Sequence, residues 1–492
     1  MTKPTSSLNL GSFRTLCGSQ GGPMLHLPTA HLTTHGVVVG MTGSGKTGLV
    51  TVLAEEAQRA RIPTILIDVK GDLPNLLLSF PRMDPTLWGP WLGTDHAAPP
   101  EDAIRADLER RREALGASGI GDAQLQAFVH GSEVRVITPG SSAGEPLHIL
   151  SSLERRSPLW DSDPETARSA LSAAVSLVLR LLGRDPDPAK SKEHVVLCIL
   201  AEERFKSGQN AELPALMHDL ENPPVATIGA LPINSFLKKR DRAELAAALN
   251  SLLASPTFTS WREGASLDVG AWVTPQMGRT PSVIVSVAHL DDEERLLVLG
   301  MVLEEILSWV RTLPGSSELK ALLIFDEVYG FLPPHPHNPP TKRPLVALMK
   351  QARAFGVGVV VATQNPMDLD YRALSNAGVW CIGRLQTDAD RARVVDGLAG
   401  SASGLDDPKA LAHTLGRLAP RWFLMRNAHK PEVGNILLHP RHTMSLLRGP
   451  LTRTDLKKAI EQRRAWQVEP CANLVAVTEE QIVNPASTAL VV

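Results

Sequence analysis

Long apolar runs, aromatic side chains, paired cysteines and net charge are all scarce in this chain of 492 residues. Its longest apolar stretches, such as Ala321–Phe325 and Val357–Ala362, fall far short of the roughly 20 residues needed to span a bilayer. No transmembrane helix is expected. The amino terminus, MTKPTSSLNLGSFRTL, is polar and lacks the apolar centre of a secretory signal. The four cysteines, Cys17, Cys198, Cys381 and Cys471, stand far apart with no CxxC pair. That excludes the usual zinc spacing and gives no disulfide framework, so a reducing, cytoplasmic setting is expected. Aromatics make up only 4% of the chain, which argues against a binding surface built on base stacking. A formal net charge of −2 excludes a globally basic nucleic-acid binder. Phosphate contacts need only a few local Lys or Arg, so charge neither supports nor excludes DNA.

What the chain does have is core material and an α/β rhythm. Hydrophobic residues are 43% of the total, and the length suits a large domain with an insertion, or two domains. Residues 1–30 read as a lead-in, with a weak hairpin signal at Gly21–Gly22. A first half of the core (31–150) opens with a short apolar strand at 35–40, a helix from Lys46 to Ala60 and a buried strand within Arg61–Val69. Residues 151–270 read as a helical insertion, with an amphipathic helix at Thr166–Leu182 and no clear strand. A second half (271–440) returns to strands at Ser282–Ser286, Ala321–Phe325, Val357–Ala362, Val379–Arg384 and Arg421–Arg426. A tail (441–492) begins as a polar helix. The expected class is α/β: a RecA-like P-loop NTPase with a mostly parallel sheet flanked by helices.

Gly40-Met-Thr-Gly-Ser-Gly-Lys-Thr47 fits G-x-x-x-x-G-K-[ST] at every fixed position, between a strand and a helix as the motif requires. Gly40, Met41, Thr42, Gly43, Ser44, Gly45, Lys46, Thr47 and Gly48 are therefore the candidate nucleotide-binding set. Glycine backbone amides curl around phosphates, and the helix start adds positive potential. Lys46 reaches the β- and γ-phosphates, and the Thr47 hydroxyl is a Mg²⁺ ligand.

A second apolar strand ends in Asp326-Glu327. Ligands of α/β sheets gather beyond the carboxyl ends of strands. Asp326 is the candidate second metal ligand, and Glu327 the group that orients and polarises the attacking water. A third strand ends in Thr363-Gln364-Asn365, and Gln364 either senses the γ-phosphate and its water or merely opens a turn before Pro366. Arg384 and Arg353 are candidate γ-phosphate arginines, in cis or from a neighbour, with Arg372, Arg391 and Arg393 weaker. Asp68, in Asp68-Val-Lys-Gly-Asp72, either joins the metal shell or caps its turn. His335 and His337 lack further ligands and read as loop residues.

The P-loop, IDVKGDL, LLIFDE and above all ARAFGVGVVVATQNP together resemble the HerA–FtsK branch of P-loop motors, over roughly residues 20–455. The resemblance implies a hexameric RecA-like ring, ATP and Mg²⁺ sites between subunits, and double-stranded DNA moved through a central pore. It assigns Lys46 and Thr47 to phosphate and Mg²⁺, Asp326 and Glu327 to metal and water, Gln364 to the sensor and Arg384 to the phosphates. Asn365 departs from the arginine frequent at its position. Too few residues precede the P-loop strand for the amino-terminal barrel that docks a nuclease in the HerA family, so a nuclease or defence-system partner stays open. Three functions remain in play: an ATP-driven DNA translocase or helicase, a secretion- or conjugation-type motor moving protein, and a regulatory ATPase gating assembly. Lys238, Lys239 and Arg240 are the most visible basic cluster, either a DNA contact or a solvated turn.

Overall fold

The computed structural model describes residues 7–15, 22–93, 99–156, 159–366, 369–374, 377–399 and 408–468. Its centre is an eleven-stranded sheet. In chain order the strands are β1 (Ser7–Thr15), β2 (Met24–Pro28), β3 (Gly36–Val39), β4 (Thr64–Asp68), β5 (Ser132–Ile137) and β6 (Thr280–Ser286). They continue as β7 (Ser316–Asp326), β8 (Phe355–Thr363), β9 (Val379–Ile382), β10 (Phe423–Asn427) and β11 (Ile436–Pro440). In space they run β2-β1-β11-β10-β9-β3-β8-β7-β4-β6-β5. From β9 to β5 every pairing is parallel, and from β9 out to β2 every pairing is antiparallel.

The parallel strands are continuous apolar runs because both faces are covered. Successive side chains point to opposite faces. Val37 and Val39 accordingly join one core while Val38 joins the other, and Ile65 and Ile67 part from Leu66 in the same way. On one face lies helix α1 (Lys46–Arg59), with Leu49, Val50 and Leu53 buried. On the other lie α2 (Pro164–Leu181) and α3 (Asp292–Thr312), which pack against each other. The α3 start is fixed by a capping box in which Asp291 and Glu294 satisfy each other's backbone amides.

Within residues 151–270 the expected amphipathic helix is present at Pro164–Leu181, and further helices run over Lys192–Lys206 and Lys239–Ala254. The same stretch also holds a two-residue antiparallel pairing, Thr227–Ile228 with Leu231–Pro232, too short to leave a period-two signal. Strands β1 and β2, set apart as a lead-in, complete the antiparallel side of the same sheet, with Leu8 and Leu10 buried. The tail helix α4 (Arg453–Val468) is held to the core by Arg463, whose guanidinium donates to Ser79 and Ser132 hydroxyls at 2.6 Å each. The candidate hairpin turn at Gly21 and the end of the tail lie outside the described residues. No described helix is long and apolar enough to cross a membrane.

Candidate active site

Strand order decides which residues meet. β3 delivers the phosphate loop, β7 the acidic pair, and β8 lies between them and delivers Thr363 and Gln364. All three strands point the same way, so their carboxyl ends converge on one edge.

The phosphate loop is pinned from several sides. The Gly40 amide donates to the Thr363 carbonyl at 3.1 Å, the Met41 amide to the Arg384 carbonyl at 2.9 Å, and the Arg421 amide to the Ser44 carbonyl at 2.9 Å. Gly43 and Gly45 have φ of 77° and 94°, the left-handed region that glycine enters without steric cost. A Cβ at Gly40 would lie 2.4 Å from Ser44 Oγ, so any other residue here would force the Ser44 side chain to move. These constraints leave loop amides and the α1 start facing a cleft of about 480 Å³, whose lining includes Thr42, Lys46, Thr47 and Gly48. The arrangement fits a polyphosphate: curled amides, a helix start and one buried ammonium.

Lys46 lies 3.3 Å from Asp326 Oδ1 and 3.3 Å from Glu327 Oε2. Glu327 departs from the strand with φ of 64°, a conformation that costs a non-glycine residue on the order of 1 kcal/mol or more. That turn aims its carboxylate back at β8. Oε1 accepts from the Thr363 hydroxyl and the Gln364 amide, each at 3.1 Å. Oε2 also accepts from Lys70 at 2.6 Å. Burial works to raise the Glu327 carboxyl, but the Lys46 charge, the Lys70 hydrogen bond and the Gln364 amide outweigh it and hold the group below the ordinary carboxylate range. Gln364 in turn accepts from the Thr42 hydroxyl at 2.9 Å, joining the loop to the acidic pair. Thr47 and Asp326 would hold Mg²⁺; Thr47 faces the cleft and Asp326 faces Lys46.

Asp68 behaves as a cap. Its oxygens accept from the Gly71 amide at 2.9 Å, the Asp72 amide at 3.1 Å and the Ser286 hydroxyl at 2.7 Å. Burial pushes its carboxyl up to about 6 against the pull of these bonds.

The two arginines part company. The Arg384 carbonyl touches the phosphate loop and its side chain is exposed at the site edge. Arg353 precedes β8, and its charge bears on His35 and His429, which flank the opposite edge of the sheet. The nine residues of β8 separate the two edges by about 27 Å at roughly 3 Å per residue. Arg353 therefore cannot act on a nucleotide held by its own chain.

Several lining residues escaped the sequence reading: Arg111, Arg421, His442, Thr443 and Leu447. Arg421 adopts φ of 63° and donates to His442 Nε2 at 3.0 Å. The 441–445 segment is anchored on α1 by a buried cluster. Arg441 bonds Glu55 and Glu56 at 2.8 Å each, and Glu55 also accepts the Ser445 amide at 2.8 Å.

Residues 16–79, a stretch that includes β2, β3, the phosphate loop, α1 and β4, match the family model described as helicase HerA-like C-terminal. Over that stretch the chain is similar to HerA-like P-loop ATPases. Among solved structures, the bacterial conjugative coupling protein TrwBΔN70 in its unbound monoclinic form matches this chain with a TM-score of 0.50 and 12% identity, covering 92% of this chain and 98% of that one. VirB4 of Thermoanaerobacter pseudethanolicus gives a TM-score of 0.49 and 13% identity, over 89% of this chain and 97% of that one. The plasmid coupling protein TrwB in complex with ADP and Mg²⁺ gives 0.49 and 14%, over 92% and 98%. At such identities the likeness to TrwBΔN70 is one of fold: a large, mostly parallel sheet between helical layers. No curated protein matches this chain in sequence.

Proposed function

We propose that this HerA-like ATPase hydrolyses ATP to move double-stranded DNA, as a homo-hexamer whose sites lie between subunits. The observation that carries the hydrolytic part is the convergence of Lys46, Asp326, Glu327 and Gln364 at one sheet edge, on a glycine loop with polyphosphate geometry. Lys46 and the loop amides bind the β- and γ-phosphates, and Thr47 and Asp326 hold Mg²⁺. Bound there, the ion neutralises charge that develops on the phosphate oxygens. Glu327 takes a proton from water as the water oxygen bonds to the γ-phosphorus. The bond from that phosphorus to the bridging oxygen breaks with its electrons left on ADP, and inorganic phosphate leaves. Gln364, tied to both Thr42 and Glu327, orients the water and couples the loop to the acidic pair. An exposed Arg384 suits a phosphate contact made within or across a subunit boundary. In this reading residues 31–150 and 271–440 form the motor core, and 151–270 form an accessory helical domain.

The DNA part rests on the HerA-like match. Its test is the ATP hydrolysis rate with and without double-stranded DNA, beside Lys46→Ala and Glu327→Gln. Stimulation by DNA that both variants abolish supports the translocase. Hydrolysis indifferent to DNA overturns it in favour of a motor for protein or an ATPase that gates assembly.

A further inference from the structure

The cleft does not end at the phosphate loop. Lys46 and Gln364, both bonded to the acidic pair, mark its β7 and β8 side. The lining then crosses Gly48 and Leu49 in the first turn of α1 and reaches Arg111, Arg421, Pro440 and His442. β10 and β11, which flank Arg421 and His442, lie on the other side of β3 from β7 and β8. A nucleotide held by its phosphates at Lys46 and Thr47 therefore has a second wall to meet, away from the acidic pair.

That wall is built before any ligand arrives. Arg441 is locked onto Glu55 and Glu56, and the Met444 and Ser445 amides donate to Glu55 at 3.0 and 2.8 Å. Between these buried anchors, His442 and Thr443 are half-buried and line the cleft. Arg421 fixes the ring of His442. Its own amide is held by the Ser44 carbonyl, its side chain packs over Gly45, and it donates to His442 Nε2 at 3.0 Å. A guanidinium can only donate, so Nε2 accepts and the imidazole is neutral, with its proton on Nδ1. Burial and the charges of Arg421 and Arg111 push the His442 pKa down to about 4, so the ring stays neutral at physiological pH.

The polar groups around the ring are committed to one another. The Pro440 carbonyl accepts from Arg421, the His442 carbonyl from Arg441, and the Thr443 hydroxyl donates to the Ser445 carbonyl. Arg111 is paired with Asp107 at 2.9 Å. Adenine and guanine differ where one carries an amino donor and the other an oxygen acceptor, and both present the same ring-nitrogen acceptor N7. A lone Nδ1–H meets that acceptor in either base. What the wall offers a purine is a flat, uncharged ring.

We propose that His442 is the base-stacking residue of the nucleotide cleft, taking the purine of ATP or GTP by its face, with no reading of the base edge. The inference rests on the nucleotide-binding reading of the phosphate loop, and its test separates the two.

Full-length wild type, His442→Ala and His442→Phe are titrated with ADP, GDP and inorganic tripolyphosphate, each displacing a ribose-labelled fluorescent ADP, and thermal melting confirms folding. In the wild type, ADP and GDP should bind within about tenfold of each other, less than one edge-reading pair would discriminate. His442→Ala should weaken both on the order of tenfold, the weight of one base–aromatic stack. Tripolyphosphate, which has no base, should bind that variant as it binds wild type. His442→Phe keeps a flat ring and should restore ADP affinity. Unchanged ADP affinity in His442→Ala, an equal loss of ADP and tripolyphosphate, or His442→Phe as weak as His442→Ala overturns the stacking role. Preference for one purine beyond the tenfold margin overturns the base tolerance. A wild type that binds neither ADP nor tripolyphosphate overturns the nucleotide reading itself.

Discussion

The Thr42 hydroxyl donates to Gln364 Oε1 at 2.9 Å, and the Gln364 backbone amide donates to Glu327 Oε1 at 3.1 Å. Two bonds thus run from the phosphate loop to the acidic pair through one glutamine. A γ-phosphate that pulls Thr42 toward itself would shift Gln364, and with it the carboxylate. Removing a polarising or orienting donor of this kind costs about 10²-fold in kcat, so Gln364→Leu should lose that much while nucleotide affinity holds. Thr42→Val removes only the link and should cost less than about tenfold. Steady-state hydrolysis paired with fluorescent-nucleotide titration separates the two effects.

Lys46 and Glu327 should divide binding from chemistry. Lys46→Ala removes the buried ammonium that meets the phosphates and leaves Asp326 and Glu327 without a shared counter-charge 3.3 Å away. Nucleotide binding should be lost in titration. Glu327→Gln keeps the size and the Thr363 and Gln364 bonds but removes the base, so ATP should still bind while hydrolysis falls about 10²- to 10⁴-fold. Retained hydrolysis in Glu327→Gln would move the base elsewhere.

The parts of the site that were legible in sequence are those written contiguously. The phosphate loop is eight adjacent residues, and Asp326-Glu327 directly follow their strand, so motif and strand pattern place them without knowing the neighbours. Lys70 stood in view within Asp68-Val-Lys-Gly-Asp72, but its contact with Glu327 depends on the β4–β7 register, which no local pattern states. Arg421 and His442 reach the cleft because antiparallel strands bring a late segment back over α1. Arg353 is kept from its own chain's nucleotide for a related reason: a residue just before a parallel strand sits at the edge away from the ligands, and only its distance along β8 reveals it. The alternation of Leu8 and Leu10 was a period-two signal for β1, overlooked because short polar strands at the edge of a chain read as a leader.

The placement of the arginines yields an asymmetric expectation. Arg384→Ala should lower kcat on the order of 10³-fold if its guanidinium meets the γ-phosphate, as arginine fingers do. Arg353→Ala, at the far edge beside His35 and His429, should stay within about twofold of wild type, as a surface charge remote from the chemistry does. Mixing Arg384→Ala with Glu327→Gln subunits tells where Arg384 acts. Recovery of hydrolysis in the mixture means it serves a neighbour's site, and no recovery means it serves its own.

The Arg441 cluster makes the clearest stability prediction. Its side chain is fully buried, and it bridges Glu55 and Glu56 on α1 to the 441–445 segment that walls the cleft. Arg441→Met leaves buried Glu55 without its cation and Glu56 with Arg59 alone, which costs about 3–5 kcal/mol, and should lower both the melting temperature and nucleotide affinity. Burial works to raise the Glu56 carboxyl, but Arg441, Arg59 and the Asn9 amide hold it below its ordinary value. A depressed carboxylate contributes stability that is present above its unfolded value and is lost as pH falls through the lower folded one. Wild-type stability should therefore decline in the acid range below about pH 4.5, the ordinary glutamate value. In Arg441→Met one of these holds is removed while Arg59 and the Asn9 amide remain, so less stability is lost on acidification and the variant should gain on wild type as pH falls. Denaturant melts of both proteins between neutral pH and pH 4 would show the two curves converging on the acid side, and parallel curves would mean that Arg441 does not set the charge state of Glu56.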